Sequence, residues 1–101
     1  MMKVTVLYGH PTSSEAFETY YKGTHLPLAG QMKGVARLEL TKFGAGPDGG
    51  KPAFYRMAEL YFATQAQMDQ TLGSSEGQAT VADLAKFATG GVTLLVGSVD
   101  G

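Results

Sequence analysis

Three tetrads of the form Ser/Thr-x-x-Glu/Gln constrain this chain more than any other feature. They are TSSE at Thr12–Glu15, TQAQ at Thr64–Gln67 and SEGQ at Ser75–Gln78. In such a tetrad the hydroxyl and the later side chain each satisfy an orphan backbone donor, so each marks a helix start. The first predicts a helix from about Ser13 toward Gly23, with Phe17, Tyr21 and His25 four residues apart. Gly23 and Pro27 predict a break beside His25, then a short turn with Pro27 in its first position. The second tetrad opens a short helix through Met68 and Leu72, stopped by Gly73. The third opens one in which Val81, Leu84, Ala85 and Ala88 form an apolar stripe, ended by Gly90 and Gly91.

Four strand-like runs alternate with these helices. KVTVLYG (3–9) is short, β-branched and bounded by Gly9 and Pro11. VARLELTKF (35–43) alternates Ala36, Leu38 and Leu40 against Val35, Arg37, Glu39, Thr41 and Phe43. AFYRMAELYF (53–62) sets Phe54, Arg56, Ala58, Leu60 and Phe62 against Tyr55, Met57, Glu59 and Tyr61. GAGPDGGKP, between them, suits a long hairpin loop. VTLLVGSV (92–99) is the fourth strand. The order β-α-β-β-α-β predicts an α+β, ferredoxin-like fold: one domain over residues 1–101, a four-stranded antiparallel sheet and helices on one face.

Helices cover one face only, yet the fourth strand is apolar on both: Val92, Leu94 and Val96 against Leu95 and Val99. A second copy of the chain is the simplest cover for the other face, so a homodimer packed sheet to sheet is expected. The net charge of −1, without a basic stripe, argues against nucleic acid or an anionic membrane as partner. No run approaches the ~20 apolar residues of a membrane span, and the N-terminus lacks a signal-peptide pattern. A cytoplasmic location is the expectation.

YYKGTHLPLAGQMKGV (20–35), with its His-x-Pro element, resembles the EthD family. So does SSEGQATVADLAKFATGGVT (74–93) following AELYF. The resemblance implies a dimeric α+β barrel, formed when two ferredoxin-like sheets close on each other. It also implies catabolic work: EthD is associated with bacterial degradation of ethyl tert-butyl ether, beside a cytochrome monooxygenase. Relatives sharing the barrel include cofactor-free monooxygenases, lactone isomerases and haem-handling enzymes, several with a cavity between helices and sheet.

His25 is the candidate catalytic residue. Imidazole titrates near neutrality and moves protons without large tuning, and the resemblance aligns it with the family's His-x-Pro histidine. The alternative is a helix-terminal histidine interacting with the dipole. Phe17, Tyr21, Tyr55 and Tyr61 are candidate substrate-binding residues, against a reading as core or interface aromatics. Pairing Phe43 with Ala53 would set Arg37 opposite Glu59, a cross-strand ion pair worth about 0.2–1 kcal/mol; a slip of two residues would remove it. His10 reads as a loop residue. No spacing suits a metal site, and neither nucleotide nor other cofactor is expected. Two functions remain open: cofactor-independent isomerase or oxygenase chemistry on small apolar or aromatic metabolites, and a noncatalytic ligand-binding or accessory role beside an oxygenase partner.

Overall fold

The computed structural model of the chain describes residues 1–100. Four strands, β1 (Met2–Tyr8), β2 (Arg37–Lys42), β3 (Arg56–Phe62) and β4 (Val92–Ser98), form one antiparallel sheet in the order β2-β3-β1-β4. The helices are α1 (Ser14–Tyr20), α2 (Leu26–Ala29), α3 (Gln65–Gly73) and α4 (Ser75–Asp83). This is the expected βαββαβ arrangement. Val4, Val6 and Tyr8 of β1 and Ala58, Leu60 and Phe62 of β3 meet Phe17, Tyr21, Met68, Leu84 and Phe87 in the core. Every residue of β4 is exposed.

Side-chain chemistry moves the helix starts slightly. Thr64 caps α3 as expected, accepting from the Gln67 N–H. Ser13, not Thr12, caps α1, accepting from Ala16; the Thr12 N–H and hydroxyl turn instead to Thr89. Ser74, not Ser75, caps α4 through the Gly77 N–H. The buried side of this last helix is also rotated. Thr80, Asp83, Leu84 and Phe87 are buried, whereas Val81 is 46% exposed. Two polar residues tolerate burial because each has a partner: the Thr80 hydroxyl donates to the Glu76 carbonyl, and Asp83 joins the site described below.

The expected break at His25 does not occur. The backbone stays helical from Ser14 to Ala29, with one π turn over Tyr21–His25 joining α1 to α2. The Leu26 N–H reaches back five residues to the Tyr21 carbonyl. Pro27 has no N–H to offer the carbonyl four residues earlier, and a widened turn accommodates that loss.

The Arg37–Glu59 pair does not form. The ladder sets Arg37 opposite Tyr61 and Glu39 opposite Glu59. The hairpin closes at the Phe43 N–H to Tyr55 carbonyl bond (3.0 Å). Alternation fixes which face a side chain takes, but a slip of two residues preserves every face. Glu59 is neutralised from the other side by Lys3 at 2.9 Å. Glu39 accepts from the Tyr61 hydroxyl at 2.9 Å and lies 3.7 Å from Arg37, which covers the Tyr61 ring.

Candidate active site: a histidine–aspartate pair on an apolar cavity

The π turn buries His25 to 4% exposure. Its Nδ1 lies 2.9 Å from Asp83 Oδ2, at the end of α4. An ionised carboxylate only accepts, so in the neutral ring Nδ1 carries the proton and Nε2 the lone pair. Among the described residues nothing bonds Nε2. The other oxygen, Asp83 Oδ1, accepts from the Tyr20 hydroxyl at 2.7 Å. Burial works to raise the Asp83 pKa, but the hydrogen bonds from Tyr20 and His25 hold it below the usual value. The same bond pushes Tyr20 up, so it remains a donor. The imidazole is wedged between Tyr21, nearly parallel at 5.9 Å between ring centres, and Phe87 at 4.6 Å. Its orientation is therefore set by packing and by a carboxylate together, as a positioned base requires.

His25 forms part of the wall of a cavity of about 140 Å³ between the helices and the sheet. Val4, Val6, Ala58 and Leu60 supply the sheet side; Leu26, Met32 and Leu84 lie across from them. Leu38 and Leu40 of β2, and Leu94 and Val96 of β4, reach the cavity from the two sheet edges. Among its lining residues no Asp, Glu, Lys or Arg appears; besides His25 its polar side chains are Tyr8, Tyr21 and Thr80.

Of the aromatic candidates, only Tyr21 lines this cavity. Phe17 packs one layer back, against Tyr8, Tyr21, Tyr55 and Phe87. Tyr61 belongs to the opposite sheet face. Tyr55 leaves the parity assigned to it, because a bend precedes β3 and turns the ring toward α1. There its hydroxyl donates to Glu18, which also grips Arg56 through two bonds of 2.9 and 2.7 Å. The Arg56 bonds, with help from Tyr55, bring the Glu18 pKa down to about 2. His10 is half-buried, its Nε2–H donating to the Pro52 carbonyl at 2.8 Å. Among the described residues, no three His, Cys, Asp or Glu side chains cluster as metal ligands would. Among the described residues, no helix is long and apolar enough to cross a membrane.

Asp83 and Tyr20 complete the site. Asp83 lies in the stretch that resembles the family, but off the Val81, Leu84, Ala85 and Ala88 stripe, so the sequence alone does not single it out. Only a buried partner on another helix gives it meaning.

These features define a small ferredoxin-like α+β protein with a ligand-sized apolar cavity under its helices. The EthD domain model matches residues 9–91. An uncharacterised 11.0 kDa protein from the thcB–thcC intergenic region of Rhodococcus erythropolis is 42% identical over 99 residues, covering 94% of this chain and 91% of that protein. The crystal structure of an EthD family protein from Bacillus halodurans superposes with a TM-score of 0.92 at 32% identity, covering 99% of both chains. An EthD-like protein from Ralstonia eutropha, 23% identical, shares the fold at a TM-score of 0.71, over 95% of this chain and 88% of that one. The chain belongs to the EthD family.

Proposed function

We propose that this protein acts on small, uncharged apolar or aromatic metabolites in a catabolic route, by cofactor-independent proton transfer with His25 as the base. One observation carries the reading: the imidazole that borders the cavity is held by a buried carboxylate through Nδ1, which leaves Nε2 free to accept a proton. Asp83 stabilises the imidazolium once it forms, and Tyr20 keeps Asp83 in place. Such base catalysis typically contributes 10²–10⁴-fold. Walls without fixed charge favour neutral ligands, since an ion would lose hydration with nothing to replace it. A carrier or oxygenase accessory would use the same walls, but a carrier has no need of the Asp83 carboxylate behind the histidine.

The protein works as a homodimer. Leu95 of β4, on the sheet face away from the helices and 51% exposed, supports that assembly. The charges on the same face are mutually paired, Lys3 with Glu59 and Arg37 with Glu39, so two such faces meet without net repulsion.

The test replaces His25 with Gln and follows affinity and turnover separately on a panel of neutral lactones, ketones and phenols. Loss of turnover by at least 100-fold with affinity held supports a catalytic base. Equal turnover in the variant rules it out, and no turnover of any panel member by the wild type favours the carrier.

A further inference from the structure

The hydroxyl of Tyr21 is buried without any hydrogen-bond partner, alone in this among the described side chains. Leaving such a group unpaired costs about 1–3 kcal/mol, and a native protein that keeps one has a use for it or tolerates a defect. Its setting favours use. Tyr21 is 1% exposed, lies in the cavity wall, and is nearly parallel to His25 at 5.9 Å. Phenylalanine would fill the same core volume without the penalty, as Phe17 does one turn earlier.

We infer that the Tyr21 hydroxyl donates a hydrogen bond to the carbonyl oxygen of a neutral ketone- or lactone-type ligand, whose neighbouring C–H is presented to His25. The inference rests on the reading of His25 as a base for its chemical step, though not for binding. In that step Nε2 takes the α-proton. The C–H electron pair becomes the carbon–carbon π bond, and the carbonyl π pair moves onto oxygen, where Tyr21 meets the developing charge. In a β,γ-unsaturated ligand the enolate is conjugated: the imidazolium returns the proton to the γ carbon, the double bond settles between the α and β carbons and the oxygen pair re-forms the carbonyl, so the product is an isomer and nothing is oxidised or reduced. Burial raises the Tyr21 pKa to about 12, so the phenol keeps its proton and remains a donor. In the empty protein the hydroxyl has no accessible surface, so engaging it requires a small shift of the wall. Met32, an adaptable wall residue, is suited to such a shift.

Two probes of similar size test this: acetophenone, and ethylbenzene, in which the carbonyl is a methylene. In Tyr21→Phe, acetophenone affinity should fall by about tenfold, the worth of one good hydrogen bond. Ethylbenzene affinity should stay within about twofold, and the unliganded variant should melt no lower than the wild type. The carbonyl stretch of bound acetophenone should lie below its value in alkane for the wild type, and should keep that shift in His25→Gln. Equal losses for both probes, or none for either, would overturn the inference. So would an alkane-like stretch in the wild type, a reading that needs no variant, or failure of acetophenone to bind at its solubility limit. A His25→Gln protein that keeps its turnover would remove the catalytic reading while leaving the infrared result to stand or fall by itself.

Discussion

Lowering the pH should unlock the helix that carries the site, through one ion pair. Glu18 on α1 grips Arg56 on β3 through both carboxylate oxygens, and Tyr55 adds a third bond. Arg56 in turn lies over the Tyr21 ring, 5.1 Å from its centre. The Glu18 pKa falls from 4.5 to about 2, chiefly because of the Arg56 bonds. At ~1.4 kcal/mol per unit this corresponds to roughly 3 kcal/mol of folding stability. The side chains are 18% and 10% exposed, so solvent screening trims this figure without removing it. A carboxylate with a depressed folded pKa contributes fully above its unfolded pKa, and the contribution drains away as pH falls through the folded value. The loss therefore belongs between about pH 4.5 and 2. Urea unfolding should show the wild type losing about 1–2 kcal/mol more than Glu18→Gln across that window, the shift discounted for screening. At pH 7 the variant should be less stable by roughly 3 kcal/mol, since Arg56 is left buried without its partner. Parallel pH profiles for the two proteins would refute the reasoning.

Two further substitutions probe the site and the assembly. Asp83→Asn removes the carboxylate that orients His25 and stabilises its charged form; turnover should fall by at least tenfold while the affinity for neutral ligands changes little, and unchanged turnover would make Asp83 a packing residue only. Leu95→Lys places a charge on the exposed sheet face, and sedimentation should find a single-chain mass where the wild type gives twice that; a dimer surviving the lysine would locate the contact elsewhere.

The strand and helix order is readable because alternation and capping chemistry are local. The faces of β2 and β3 follow from parity, which groups Leu38 with Leu40 and Ala58 with Leu60. Their register does not. Phe43–Ala53 and Phe43–Tyr55 closures leave the same side chains on the same faces, and only the folding of the 44–54 loop chooses between them. His25 is legible from the His-x-Pro element and its position on the Phe17–Tyr21 stripe. Its setting is not, because a π turn leaves no simple sequence signature, and Pro27 reads as a stop. Asp83 and Thr80 are hidden for a different reason: a buried polar residue looks like a surface one until its partner, sometimes more than fifty residues away, is brought beside it.

The proposed chemistry depends most on the state of one imidazole, and nitrogen NMR of His25 addresses it directly. At a pH where the ring is neutral, the proton should sit on Nδ1, held by Asp83, and ligand addition should move the Nε2 resonance more than the Nδ1 resonance. A proton found on Nε2, or an Nε2 signal indifferent to every cavity ligand, would contradict it.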